Sequence, residues 1–344
     1  MNIKSLLLGS AAALAVVSGA QAADAIVAAE PEPMEYVRVC DAFGTGYFYI
    51  PGTETCLKIG GYVRAEIDFA DNGRGVKDWD MWTRARLEVS AKNDSELGTI
   101  GSFFAFQSKG LEDYTNEAFK VDEAYITVGG FKVGYMYNYW DTGLAGETDD
   151  LGSNLINAIG YEYSSDAFSL GVFVDEINGT YADWTPTFNG SYGDNDSIGV
   201  EAQLSGTFGV VNAALLGAYD FAREDGAVRL LVNAEIGPGT LGVAGIYSSG
   251  VNAYYDLAEW TIAASYSAKL TDKLTLTPGA QYFWNYGLAD ANGDFTGSND
   301  AWTAGLTMDY ALAQGLAVKT TVNYFDADNT DGEWSGFVRL QRSF

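Results

Sequence analysis

The chain has 344 residues, with 46 Asp and Glu against 19 Lys and Arg for a formal net charge of −27, and it contains two cysteines and no histidine. Without an imidazole, Ser/His/Asp hydrolysis, Cys/His catalysis and His-ligated zinc or haem are excluded, since each needs a group that passes a proton near neutrality or offers a neutral nitrogen to a metal. The charge opposes contact with phosphate backbones, so no nucleic-acid partner is expected, yet Trp 8, Tyr 22 and Phe 18 supply too much buriable surface for an acidic disordered chain.

In chain order, Lys4, the apolar stretch 6–17 and the triplet Ala20, Gln21, Ala22 read as a secretory signal peptide over 1–22, too short an apolar run to cross a bilayer. Residues 23–34, with Pro31 and Pro33 around Glu32, read as a loose tail. Cys40 and Cys56 follow, with Gly44, Gly46, Pro51 and Gly52 between them to turn the chain. An exported protein with two cysteines most simply pairs them, and closing a loop of this size contributes about 3 kcal/mol in the chain-entropy model.

Beyond the signal the pattern is two-residue alternation in segments of about ten residues, the signature of transmembrane β-strands. Over 57–69, Leu57, Ile59, Val63, Ala65, Ile67 and Phe69 alternate with Lys58, Tyr62, Arg64, Glu66 and Asp68; over 79–92, Ala85, Leu87, Val89 and Ala91 alternate with Arg84, Arg86, Glu88, Ser90 and Lys92. Strands are predicted at 57–69, 79–92, 99–108, 120–128, 131–139, 158–164, 168–176, 197–205, 208–219, 227–236, 241–248, 258–269, 274–286, 300–310, 316–325 and 333–344. Alternation alone also suits a soluble sandwich. The apolar rows decide, because they are nearly free of charge and end in aromatics: Trp260, Ile262, Ala264, Tyr266; Leu276, Ala280, Tyr282, Trp284, Tyr286; Trp302, Ala304, Leu306, Met308, Tyr310; Val318, Thr320, Val322, Tyr324. Short turns at 129–130, 165–167, 206–207, 237–240, 270–273 and 311–315 alternate with long acidic loops at 109–119, 140–157, 177–196, 287–299 and 326–332. The expectation is an all-β, 16-stranded antiparallel up-and-down transmembrane β-barrel over 57–344, with 23–56 as a tail and disulfide segment on the periplasmic side.

Sixteen strands leave a water-filled lumen, whereas about eight would be filled by side chains. Loop 140–157 carries Asp141, Glu147, Asp149 and Asp150 with no Lys or Arg among them, and Gly143, Gly146 and Gly152 for bending. Folded inward, it would set these carboxylates against wall cations, with Arg64, Arg84 and Arg86 foremost and Arg339 or Lys319 in addition. Such a field orients polar solutes and favours cations; salt leaves it active within a Debye length of about 8 Å. Substitution of Arg84 or Arg86 by Ala should then alter conductance or selectivity. A solvated surface loop, with the arginines paired along the wall to Glu66, Asp68 or Glu88, is the plain alternative. The run Asp290, Asn292, Asp294 begins like a calcium loop but has Phe295 where Gly is needed, and Asn178-Gly179-Thr180 matches a glycosylation sequon, an uninformative match by itself. No metal, cofactor or enzymatic activity is expected.

The stretch VCDAFGTGYFYIPGTETCLKIGGYVRAE resembles the N-terminal signature of the alphaproteobacterial general porins of rhizobia and brucellae. DEAYITVGGFKVG at 122–134 resembles the hairpin before a porin constriction loop, and the chain ends LQRSF on Phe344 as outer-membrane barrels commonly do. The resemblance covers essentially the whole mature chain and implies a homotrimer in the outer membrane, with the third loop folded inward and acids facing a basic wall. Arg342 departs from the aromatic that many barrels carry at that place. The expected function is passive diffusion of small hydrophilic solutes and ions, with outer-membrane lipid and lipopolysaccharide as partners. A channel specific for sugars or anions, or an adhesive or structural surface barrel, is the alternative; Tyr135, Tyr137, Tyr139 and Trp140 read equally as a sugar slide or as an interfacial belt.

Overall fold

The computed structural model describes residues 38–71, 77–110, 118–177, 197–287, 289–290, 293–297, 299–328 and 330–344. The signal-peptide and tail expectations, and the Asn178 sequon, lie outside the described residues. The chain divides into two units, Met1–Arg38 and Val39–Phe344, and the second contains every strand described below.

A two-residue strand, β1 (Phe48–Tyr49), precedes sixteen long ones among the described residues: β2 (Cys56–Asp71), β3 (Lys77–Ser95), β4 (Gly98–Gly110), β5 (Lys120–Val128), β6 (Phe131–Tyr137), β7 (Leu155–Ser164), β8 (Phe168–Ile177), β9 (Ser197–Phe208), β10 (Val211–Asp220), β11 (Asp225–Ile236), β12 (Gly239–Ser248), β13 (Ala258–Lys269), β14 (Leu274–Tyr286), β15 (Ala301–Ala313), β16 (Leu316–Ala327) and β17 (Glu333–Ser343). Each pairs antiparallel with its chain neighbours, and β17 pairs with β2 from Trp334↔Asp71 to Ser343↔Tyr62, which closes the barrel. Closure leaves no edge strand, the condition for satisfying backbone groups in lipid. No helix among the described residues is long and apolar enough to cross a membrane.

The alternation sorts the side chains. Ile59, Val63, Ile67, Val228, Leu230, Ile262, Leu306, Val322, Val338 and Leu340 are exposed on the outer face, a continuous apolar surface that water would penalise and hydrocarbon accepts. Toward one rim the outer face carries ring pairs: Tyr247 with Trp260 at 4.5 Å between centroids, Tyr282 with Trp284 at 4.7 Å, and Tyr324 with Trp334 at 5.0 Å. On the inner face Glu66, Arg229, Thr261, Thr277, Gln281, Thr307 and Thr321 are buried instead.

The connections depart from expectation in places. The turn expected at 206–207 falls at 209–210, because β9 and β10 stay paired out to Phe208↔Val211 and Gly209 supplies the positive φ of +65°. Residues 311–313 belong to β15, which pairs through an irregularity to Leu316. Tyr286 is not on the outer row: Asn285 has φ +55°, which breaks the alternation and turns the Tyr286 ring onto Phe283 and Phe325. Tyr139 and Trp140 are not in a belt either, since Trp140 is fully buried and Tyr139 packs edge-on against Phe173.

Cys40 and Cys56 are joined, with Cα atoms 5.9 Å apart, and the bond is buried beside Tyr47 and Phe43. Arg342 donates to the Gln314 carbonyl at 3.0 Å, tying the last strand to the 314–315 turn.

Candidate functional site

The connection from β6 to β7, residues 138–154, makes contacts with residues of β9 to β17 and of the 249–257 connection. It opens with a short 3-10 turn, Tyr139–Asp141, capped by the Asn138 side chain, which accepts from the Trp140 amide. Trp140 then anchors the segment. Its ring lies 6.2 Å from Tyr254, 6.4 Å from Tyr255 and 5.1 Å from the Arg229 guanidinium. Leu144, Leu151, Leu216, Leu231, Ala244 and Ile246 complete a buried apolar cluster.

Arg229, on β11, is the polar centre of this anchor. Its Nη1 donates to the Trp140 and Leu151 carbonyls at 2.9 and 3.2 Å, and its Nη2 to the Tyr139 carbonyl at 2.7 Å. One guanidinium therefore holds both ends of the segment. A buried cation is costly unless charge and hydrogen bonds compensate it; Glu201, which accepts from the Tyr139 amide at 3.3 Å, is also buried nearby. The 249–257 connection closes over the same cluster. Asn252 Oδ1 accepts from the Tyr254 and Tyr255 amides, Tyr254 donates to Asp175 at 2.6 Å, and Asn154 donates to the Ala253 carbonyl at 2.5 Å.

The far end of the segment is held by hydrogen bonds. The Glu147 amide donates to Thr307 Oγ1 at 3.0 Å, its carbonyl accepts from Asn323, and Thr148 donates to Asn323 Oδ1. Gln281 makes a two-way bond with Asp150, accepting from its amide at 2.6 Å and donating to its carbonyl at 2.8 Å. Gly146 has φ +99°, and a Cβ there would come 3.1 Å from Thr277, so the bend needs glycine both for its conformation and for the close approach.

The four acids have different surroundings. Glu147 meets Lys319 Nζ at 2.6 Å and Arg339 Nη1 at 3.7 Å. Asp149 turns back to accept from the Leu144 amide at 3.1 Å, and desolvation pushes its carboxyl above the usual range. Asp150 accepts weakly from the Gly152 amide and is likewise pushed up by crowding from the surrounding protein. Asp141 accepts from Ser153 at 2.6 Å and is exposed. Among the cations, Arg339 also pairs with Glu66. Arg64 donates to Gln341 at 2.9 Å, and Arg339 and Arg84 act on it as neighbouring positive charges. Arg84 lies over the Trp82 ring at 5.1 Å, and its buried Nε has no acceptor among the described residues. Arg86 is committed within the wall to Glu88 at 2.8 Å, Glu123 at 2.7 Å and Asp122.

Sequence reasoning missed Arg229, Glu201 and the whole 249–257 connection. A signal was present in the adjacent Tyr254 and Tyr255: two consecutive rings cannot share one face of a strand, so a buried loop is the economical home for both. For Arg229 there was none, because a charge at an inner-face position reads like any lumenal residue.

A closed barrel with an apolar outside and a polar, charged inside is a channel of the outer-membrane type. The comparisons agree. A family model described as a porin subfamily matches residues 24–339, and the chain belongs to that porin family. It is 46% identical to outer membrane protein IIIA of Rhizobium leguminosarum bv. viciae, over 98% of this chain and 93% of that one. It is 36% identical to porin Omp2b of Brucella canis over the full length of both. Solved structures share the fold at low identity: the outer-membrane channel DcaP of Acinetobacter baumannii has a TM-score of 0.66 at 13% identity, covering 86% of this chain and 99% of that one. A mutant Rh. blastica porin has 0.56 at 16%, covering 84% and 100%. The protein is thus a general outer-membrane channel, a porin.

Proposed function

We propose that residues 138–154 fold into the lumen as a constriction loop, and that solutes pass between its acidic tip and the cations of the β2, β3, β16 and β17 wall. The observation that carries this is Glu147, whose backbone is bonded to inner-face Thr307 and Asn323 while its carboxylate meets Lys319 and Arg339. Asp141, Asp149 and Asp150 belong to the same acidic side; Arg64 and Arg84 extend the basic side, and Arg86 backs it through its carboxylate partners. Opposed charges across a water-filled gap orient polar solutes and slow apolar ones. Small hydrophilic solutes and ions are the cargo, with a preference for cations because the tip and the outer loops are acidic.

The setting completes the proposal. The first 22 residues act as a cleaved export signal, three copies of the barrel assemble, and lipid and lipopolysaccharide surround them. Supporting the trimer is the trimeric form of OmpT of Vibrio cholerae, a solved structure with a TM-score of 0.60 to this chain. Planar-bilayer recording tests the central point: stable conductance steps with zero-current potentials of cation-preferring sign are expected, and Arg84→Ala should change conductance with folding intact. Anion preference in the wild type would defeat the assignment of the acidic tip.

A further inference from the structure

The disulfide-closed segment at the start of the barrel also brings chain from outside the long strands against inner-face residues. Val39 bridges to Phe48, the Cys40 amide donates to the Tyr47 carbonyl at 2.9 Å, and β1 pairs with the start of β2. It takes up the edge of β2 where β17 has ended, since the last β17 contacts are Ser343↔Tyr62 and the Phe344 carbonyl on the Gly61 amide. From this edge Tyr47 crosses inward, and its hydroxyl hydrogen-bonds Ser90 Oγ at 2.8 Å. Ser90 pairs in register with Lys58, and Lys92 with Cys56. By alternation all of them share the face of Arg84, Arg86 and Glu88, opposite the exposed Ile59 and Leu87.

The consequence is a cationic site at the turn rim. The Lys58 and Lys92 ammonium groups both lie 5.8 Å from the Tyr47 ring centroid, and the Lys58 stem runs against Gly46. A ring face holds an ammonium in place without cancelling its charge. Lys132, over the Tyr125 ring at 4.5 Å, adds a third cation on the inner face of β6 near the same rim. Of the wall carboxylates on this side, Glu88 is paired with Arg86, while Glu162 accepts from the Tyr139 hydroxyl and lines a pocket with Lys132, so among the described residues the charge left uncompensated is that of Lys58 and Lys92.

We propose that segment 40–56 is a second selectivity element of the channel, in which Lys58 and Lys92, held on Tyr47, form a weak site for small anions at the mouth opposite the acidic loops. A local positive site then stands at one mouth and the acidic loops at the other, and the current depends on its direction. This rests on the protein being a channel and is independent of the role given to loop 138–154.

The test is the permeability ratio and current–voltage asymmetry of Lys58→Gln/Lys92→Gln in planar bilayers. Tyr47 and the disulfide remain in place, so the barrel is retained. The cation-to-anion permeability ratio should rise roughly three- to fourfold, the screened effect of two unit charges each ~8 Å from a passing ion and acting oppositely on cation and anion, and the asymmetry should fall. Lys269→Gln, at the exposed end of β13 and paired with Asp272, should leave both unchanged. A folded double variant with wild-type ratio and asymmetry, or an equal shift in Lys269→Gln, overturns the proposal. The lysine effect should also shrink in a Cys40→Ser/Cys56→Ser background; if it persists undiminished there, the segment has no part in placing the charges. Failure of the constriction proposal would show separately, in Glu147→Gln.

Discussion

Two arcs of the inner wall meet the same loop with different chemistry. On β10 to β13 the residues against segment 138–154 are Leu216, Ala227, Leu231, Ala244, Ile246 and Ala263, gathered around Trp140. On β14 to β16 they are Thr277, Gln281, Thr307, Lys319 and Asn323, each offering a hydrogen bond, an ion pair or a close approach. The first arc excludes water and ties down the base of the loop by burial. The second holds the tip through polar groups that tolerate water, and this leaves room for solutes: a cavity of about 410 Å³ lies beside Thr148, Asp150, Phe283, Thr303 and Asn323. Under the proposed inward fold the loop needs both, since packing on every side would seal the lumen and polar contact alone would let the loop wander.

The largest expected effect comes from breaking the dry arc. Arg229→Met leaves the Tyr139, Trp140 and Leu151 carbonyls without their donor. At about 1–3 kcal/mol for each buried group left unsatisfied, the anchor should weaken by several kcal/mol, read as new protease cleavage within 138–154 of an otherwise folded barrel and as scattered conductance steps. If neither appears, Trp140 packing alone suffices. Tyr254→Phe removes one hydrogen bond from buried Asp175 and should cost about 1–3 kcal/mol, seen as faster hydrogen exchange in 249–257 with conductance nearly unchanged.

Effects in the wet arc should be small in stability and clear in transport. Glu147→Gln breaks half-exposed pairs with Lys319 and Arg339, worth about 1 kcal/mol or less. It also removes the acid facing those cations, so zero-current potentials should move toward anion preference. An effect visible only in its pH dependence concerns Asp256, whose carboxyl is pushed up to about 6, chiefly by desolvation and then by Asp150. The native state holds this proton more tightly than the unfolded chain does, so stability increases as pH falls from about 6 toward the ordinary carboxylate range and the increment is absent above. Asp256→Asn should therefore exceed the wild type in thermal stability at pH 7.5, on the order of 1 kcal/mol, with the difference vanishing near pH 4.

The same contrast explains what could be read in advance. All sixteen strands were legible because lipid on one side and water on the other impose a two-residue period on every one of them, and the Cys40–Cys56 pair was legible from export and count. The wet arc was partly legible, since Lys319, Arg339 and Glu147 are charges on inner-face or loop positions. The dry arc was not. Its apolar inner residues interrupt the polar lumenal row, and nothing local says whether an inward leucine meets water, a neighbour or a loop from elsewhere in the chain. Tyr286 shows the limit in one residue: the alternation put it outside, and a single positive φ at Asn285 turned it inward.

Local pattern determined the barrel, its strand number, its lipid-facing rows and the acidity of the long loops, because these follow from the two-residue period of a strand between two solvents. Which charges meet was settled by contacts between distant parts of the chain: Glu147 with Lys319 is separated by 172 positions, and Arg229 with the Trp140 carbonyl by 89. Such pairings depend on where a closed sheet brings its strands around, and on which buried cation finds enough carbonyls to offset its lost hydration. No short stretch of sequence contains either quantity.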